Sequence, residues 1–232
     1  LQSDPTGTAS AAISLGVTYS SQNKTSTEIM SLVDNALSIA KSSPEQKYGY
    51  ISGDDHATIM GKQQWRDLVE EAIHDELVTF RLQSANNTFG STYHQEVFSA
   101  IEKDGVRYSA NQYLFALEQL ESSHILDQFV IEQMINKMKS GEVTNPVAIN
   151  ISPSSVAQPS FIRWVGNILE KNPTHASKLH FEIPENCFIQ EPHYTALLCN
   201  TLRSADSVFG VDNYGRNFQS LDYINEFRPS YV

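Results

Sequence analysis

The first part of the chain combines one short strand pattern with one clear helix pattern. Apolar and polar residues alternate from Ala12 to Tyr19, which predicts a strand. Thr25 and Glu28 have the spacing of a capping box, and apolar residues then recur at helical spacing. This apolar stripe consists of Ile29, Leu32, Val33, Ala36, Leu37 and Ala40. One strand and one helix cannot enclose a core, so residues 1 to about 45 are predicted to be the closing part of a larger domain.

A polar stretch and then a long alternation of helix and strand patterns follow. The stretch from Ser42 to Gly61 is rich in turn residues and is predicted to be a linker. Helix patterns begin at Trp65 and recur at 126–138, 161–169 and 194–202. Strands are predicted at 77–82, 96–101, 146–152, 178–183, 207–212 and from Pro229 onward. Such alternation is typical of parallel strands joined by helices, and it predicts an α/β sheet or barrel.

The first two strands of this region depart from the pattern. Only about a dozen polar residues, Ser84 to Gln95, join them. That connection is too short for a helical crossover, so the first strand is predicted to run antiparallel to the others.

Composition limits the functional classes. The chain has 232 residues with 40% hydrophobic content, which excludes a disordered tail. Its net charge is −11, which argues against broad binding of nucleic-acid backbones, because such binding needs clustered Lys and Arg. Cys187 and Cys199 are the only cysteines, and no signal-peptide pattern or long apolar stretch occurs. These features predict a soluble, cytoplasmic module.

Four of the predicted strands each carry a polar residue that could bind a metal ion. They are Glu96, Asn150, Glu182 and Asp212. Any one of them is more often a cap or an ion-pair partner, but charged residues are depleted within strands, so four in sequence favour a site. In an α/β barrel, residues near the ends of successive strands converge on one mouth. Carboxylate and amide oxygens suit Mg²⁺ or Mn²⁺. His94 is predicted to share the strand face of Glu96.

The motifs around these residues resemble those of a known family. The segments concerned are Gln83-Ser84, Glu96-Val97-Phe98, Tyr113 to Glu118 with Leu126-Asp127, Asn150-Ile151-Ser152, Glu182-Ile183-Pro184-Glu185 and Asp212-Asn213-Tyr214-Gly215. Their order and spacing resemble the EAL family, whose barrel domains hydrolyse cyclic di-GMP or bind it as receptors. Upstream, Ile13 to Val17 and Val33 to Lys41 are similar to the closing strand and helix of a GGDEF domain.

The resemblance implies a fold and a domain division. The fold is an incomplete EAL-type (β/α)8 TIM-like barrel with an antiparallel first strand, preceded by the C-terminal strand and helix of a GGDEF (α+β) domain. Residues 1–45 would be the GGDEF-like remnant, 46–62 a linker and 63–232 the EAL-like domain. A complete barrel takes about 250 residues, so the barrel is expected to end before its last strands.

The resemblance also implies roles for the polar residues. Glu96, Asn150, Glu182 and Asp212 would hold one Mg²⁺ or Mn²⁺ ion. Asn213 stands where the family has a second Asp for a second ion. The nucleotide-binding residues would be Gln83, Glu96, Phe98 and Asp212. The general-base Lys would fall just past Val232, and Glu185 is expected to organise a loop.

Several departures from the family pattern bear on activity. Asn213 replaces a carboxylate, Ala100 replaces an Arg expected to contact a phosphate, Phe98 replaces the Leu of the signature and Ser84 replaces a Pro. We therefore expect a degenerate domain that acts as a cyclic di-GMP receptor or regulatory scaffold with little or no hydrolysis. The alternative is an active metal-dependent phosphodiesterase that gives pGpG. The family also implies a homodimer through EAL domains and a regulatory protein partner, and it leaves open whether the module is part of an inner-membrane-anchored protein.

Overall fold

The described residues of the first unit of the chain form a small parallel sheet covered by one helix. The structure, a computed structural model, describes residues 14–21, 23–42, 48–52, 60–215 and 221–232. It divides into two units, Leu1–Gly61 and Lys62–Val232. The first unit contains β1 (Leu15–Tyr19), α1 (Ser26–Ser42) and β2 (Tyr48–Ser52), and β1 pairs in parallel with β2.

Helix α1 begins at the predicted capping box. The backbone N–H and the hydroxyl of Thr25 both donate to the Glu28 carboxylate, at 2.7 and 2.8 Å, and the Glu28 N–H donates back to the Thr25 hydroxyl at 3.3 Å. This reciprocal pair satisfies N–H groups that the first turn of a helix leaves free. The prediction of a capping box is confirmed.

Strand β2 corrects the prediction of a linker over residues 46–62. Tyr48–Ser52 form a strand, so the linker prediction is wrong there. The sequence signal is weak because this strand has five residues and contains Gly49. A Cβ atom at Gly49 would lie 1.9 Å from the carbonyl oxygen of Ala36, so only glycine lets α1 approach β2 this closely. The rest of this stretch, 43–47 and 53–59, lies outside the described residues.

The second unit alternates strands and helices. Its strands are β3 (Val78–Asn86), β4 (Thr92–Lys103), β5 (Val106–Ser109), β6 (Val147–Asn150), β7 (Leu179–Pro184) and β8 (Val208–Asp212). Its helices are α2 (Lys62–His74), α3 (Ala110–Gln119), α4 (Ser123–Lys139), α5 (Pro153–Val156), α6 (Pro159–Glu170), α7 (Pro173–Ala176), α8 (Glu185–Gln190), α9 (Pro192–Ser204) and α10 (Asp222–Phe227). Within the described ranges, no helix has both the length and the apolar character needed to cross a membrane.

The strands of the second unit form one sheet in the order β3-β4-β6-β7-β8, with β5 beside β4. β3 is antiparallel to β4, whereas β4, β6, β7 and β8 run parallel to one another. The prediction of an antiparallel first strand is therefore confirmed. Beyond β8, Tyr231 forms a parallel bridge to Gly210, where a strand was predicted to begin.

The two faces of the sheet differ in character. Ile149, Phe181 and Phe209 lie side by side across β6, β7 and β8 and are almost fully buried. The helix faces of this unit are likewise apolar, as in α6, which buries Phe161 and Val165. Because side chains alternate along a strand, the residues next to Phe181 point to the opposite face. That opposite face carries the polar residues.

Candidate functional site

Strand register brings the four predicted metal-ligand residues onto one face of the sheet. Glu96 aligns with Ala148, and Asn150 lies two residues further along β6, on the same face. Asn150 aligns with Glu182 on β7, and Asp212 lies two residues beyond the partner of Glu182 on β8. The Asn150 side-chain amide donates to the Glu96 carboxylate at 3.0 Å. The register thus places all four residues on one face of the sheet, and their convergence on one metal ion stays a prediction.

Two buried histidines lie next to this row of residues. His94 Nδ1 and His180 Nδ1 are 3.3 Å apart, and His94 Nε2 lies 3.7 Å from a Glu182 oxygen. The rings of Tyr93 and Tyr231 contact both imidazoles. Burial lowers the pKa of His180 to about 4 and also lowers the pKa of His94. Both imidazoles are therefore neutral near pH 7. Neither one forms an ion pair with Glu182 at that pH.

The site gathers three acidic side chains, those of Glu96, Glu182 and Asp212. Burial raises the pKa of the Glu182 carboxyl to about 7, and the neighbouring carboxylates of Glu96 and Asp212 raise this pKa further. These causes act together because desolvation and like charges both disfavour the ionised form. An anionic ligand therefore needs a positive group to approach this mouth.

The donor chemistry suits a divalent cation, but the arrangement does not form a complete site. Within the part of the chain that the structure describes, no group of three or more His, Cys, Asp or Glu residues is placed to hold one ion. Glu96 accepts a hydrogen bond from Asn150, and Asp212 accepts hydrogen bonds from the backbone N–H and the side-chain amide of Asn213. As arranged, these residues do not fit a metal ion. Mg²⁺ or Mn²⁺ at this mouth stays a prediction.

The predicted nucleotide-binding residues on β3 and β4 line the same face. Gln83 is exposed and pairs across the strands with Glu96. Phe98 pairs with Arg81, whose guanidinium lies 4.9 Å from the centre of the Phe98 ring. Arg81 was not predicted from the sequence, because only the strand register places it beside Phe98.

Two acidic side chains hold the chain that leaves Asn150. Asp127 accepts hydrogen bonds from the backbone N–H and the hydroxyl of Ser152, at 2.9 and 3.2 Å. Glu118 accepts hydrogen bonds from the backbone N–H and the hydroxyl of Ser154, at 2.6 and 2.8 Å. Carboxylates at the start of a helix satisfy its free N–H groups. Glu118 and Asp127 therefore position the loop from Asn150 into α5.

Asp127 provides a prediction about pH. Burial raises its pKa to about 7, against hydrogen bonds that lower it. Because the carboxyl of an unfolded chain has a pKa near 3.9, the folded chain binds more protons between about pH 4 and pH 7, and stability falls as pH rises through that range. We expect urea unfolding to show a smaller loss of stability from pH 5 to pH 8 in Asp127→Asn than in the wild type. Titration of Glu182 leaves some dependence of stability on pH in both proteins. Parallel profiles of stability against pH would contradict the assignment to Asp127.

Glu185 organises the turn that follows β8. It is buried, and its Oε1 accepts hydrogen bonds from the Gly215 N–H at 3.1 Å and from the Tyr223 hydroxyl at 2.7 Å. These two donors lie on either side of residues 216–220, which the structure does not describe. The prediction that Glu185 organises a loop is confirmed.

Removing this carboxylate is expected to destabilise the second unit. Glu185→Ala leaves the buried Tyr223 hydroxyl and the partly buried Gly215 N–H without their acceptor, at a cost of about 1–3 kcal/mol in the free energy of unfolding. Glu170→Ala, at an exposed position on α6, removes the same charge and is expected to change stability by less than about 0.5 kcal/mol. Chemical denaturation measures both. Equal effects of the two substitutions would show that charge rather than hydrogen bonding is responsible.

The comparisons with known proteins agree with this geometry. Residues 66–232 match the family model of the EAL domain. The chain is 23% identical over 191 residues to the cyclic di-GMP phosphodiesterase PdeF of Escherichia coli (strain K12), covering 79% of this chain and 25% of PdeF.

Solved structures show the same fold. Vibrio cholerae LapD S helix-GGDEF-EAL, bound to cyclic di-GMP, is 62% identical, with a TM-score of 0.91 over 94% of this chain and 54% of that chain. The Xanthomonas citri FimX EAL domain in complex with cyclic di-GMP is 17% identical, with a TM-score of 0.62 over 72% of this chain and 67% of that chain. The chain thus spans a quarter of PdeF and about half of the LapD chain. Since the family match covers residues 66–232 and includes every strand that carries a site residue, this chain belongs to the EAL domain family.

Proposed function

We propose that this EAL domain is a cyclic di-GMP receptor or regulatory scaffold with little or no hydrolysis. The observation that carries the proposal is the contact between Asn213 and Asp212. The Asn213 side-chain amide donates a hydrogen bond to the Asp212 carboxylate, where the family has a second carboxylate. Two-metal hydrolysis of a phosphodiester needs both ions, because one stabilises the attacking oxygen and the other the leaving oxygen. An amide that donates to its neighbour is a poor replacement for that ligand.

The receptor role is supported by the relatives. The LapD structure that is 62% identical over 94% of this chain is bound to cyclic di-GMP. On this chain, Gln83 and Glu96 face each other across β3 and β4, and Asp212 lies along the same face. The edge of a guanine offers both donors and acceptors, which match side-chain amide and carboxylate groups. These residues would therefore recognise the bases of the dinucleotide. A homodimer and a regulatory protein partner are part of the same proposal.

A second candidate function is metal-dependent hydrolysis to pGpG. It is favoured by the similarity to PdeF, a cyclic di-GMP phosphodiesterase, and by the four predicted first-ion ligands that keep one strand face. Glu96→Ala should abolish any turnover, because it removes one of these ligands.

Calorimetric titration of the chain with cyclic di-GMP, with and without Mn²⁺, tests the proposal. We expect saturable binding, and chromatography of the nucleotides should recover the dinucleotide uncut at high protein concentration. No binding in either condition would remove the receptor role and leave the scaffold. Accumulation of pGpG would favour the phosphodiesterase instead.

A further inference from the structure

An exposed arginine, Arg81, lies near Ala100, the position at which this chain lacks the phosphate-binding arginine of the family pattern. Glu96, Phe98 and Ala100 alternate along β4 and share one face. Their partners across the antiparallel pair are Gln83, Arg81 and Thr79, respectively. Paired residues in an antiparallel sheet lie on the same face. Arg81 therefore lies on the site face, diagonally opposite Ala100.

The distance between these two positions suits a long side chain. Diagonal neighbours in an antiparallel pair are about 7–8 Å apart, which long side chains can cross. Ala100 is only 3% exposed and has no charge, whereas Arg81 is exposed. Arg81 thus places a positive charge on the site face one residue pair away from Ala100.

Phe98 gives the guanidinium a defined position. The Arg81 Cζ atom lies 4.9 Å from the centre of the Phe98 ring, within the range of a cation–π interaction. A guanidinium that stacks on a ring keeps the N–H donors in its plane available for a phosphate. The Phe98 ring thus holds the guanidinium on the site face.

The charge of the site gives Arg81 a function. The strand register places three carboxyl groups, those of Glu96, Glu182 and Asp212, on this face of the sheet. We propose that Arg81 supplies the cationic contact to a phosphate of the cyclic dinucleotide, in place of the arginine absent at Ala100. This inference rests on the proposed receptor function and names the residue that admits an anionic ligand.

Calorimetric titration of cyclic di-GMP into the wild type and three variants tests the inference. Arg81→Ala is expected to raise Kd about tenfold, which corresponds to about 1.4 kcal/mol. Arg81→Lys should fall between the two, because an ammonium keeps the charge but cannot bind a phosphate in the planar, two-point manner of a guanidinium. Arg163→Ala, at an exposed position on α6, removes the same charge and should leave Kd unchanged.

Salt dependence separates a phosphate contact from a structural role. Screening weakens charge contacts, so Kd of the wild type should rise more steeply with NaCl concentration than Kd of Arg81→Ala. An Arg81→Ala protein with wild-type affinity and salt dependence overturns the inference, as does an equal loss in Arg163→Ala. If the wild type binds no dinucleotide, the proposed receptor role fails and the inference fails with it. If the wild type and Arg81→Ala bind equally well, only the inference fails.

Discussion

Replacing Phe181 with alanine is expected to lower the free energy of unfolding of the second unit by about 3–5 kcal/mol. Phe181 is 0% exposed in the centre of β7, between Ile149 on β6 and Phe209 on β8. Its removal takes apolar surface out of a close-packed layer and leaves a cavity that the flanking strands cannot close. Because Glu182 is the next residue, the site should also lose affinity for its ligand.

Urea denaturation followed by circular dichroism measures this effect. Leu197→Ala removes a side chain that is 43% exposed on α9 and should cost less than about 0.5 kcal/mol. A loss for Phe181→Ala as small as that of this control would contradict the packing described for β7.

Substituting valine for Gly210 is expected to destabilise the second unit by about 1–3 kcal/mol through overpacking. A Cβ atom at Gly210 would lie 2.3 Å from Cε2 of Tyr231, well inside van der Waals contact. Tyr231 cannot withdraw easily, because the Val211 N–H donates to its carbonyl at 3.1 Å and its ring packs on His94. The substitution should therefore displace the ring that lies beside Glu182.

A double variant tests this explanation. Tyr231→Ala makes room for the new side chain, so Gly210→Val should cost less in that background than in the wild type, as a double-mutant cycle measures. Gly166→Ala on α6 is the control, because its Cβ would meet only a methyl group of Thr201 at 3.1 Å. Additive losses in the double variant would show that Tyr231 is not the obstacle.

The order of strands and helices was largely predictable from the sequence. Apolar periodicity located α2, α4, α6 and α9, because each buries an apolar face of at least three turns of helix. The short polar connection from Ser84 to Gln95 was enough to predict that β3 runs antiparallel to β4. These features depend on neighbouring residues, which a sequence shows directly.

Two strands were missed for physical reasons. β5 is a four-residue strand after the turn Asp104-Gly105, where both residues have positive φ of 52° and 75°. An Asp-Gly pair of this kind is a hairpin signal that could have located it. β2 had no comparable signal, because its stability depends on pairing with β1 and on the close approach of α1 at Gly49.

The candidate site likewise combines features that the sequence shows with features that depend on the tertiary structure. Local patterns in the chain were enough to place Glu96, Asn150, Glu182 and Asp212 in strands, because motif and periodicity depend on neighbouring residues. Which side chains meet depends on the folded sheet, since the register between strands is set by the packing of the whole sheet. The tertiary structure brought the Asn150 amide to Glu96, Arg81 over Phe98 and the ring of Tyr231 over Gly210, each across at least 15 residues of chain.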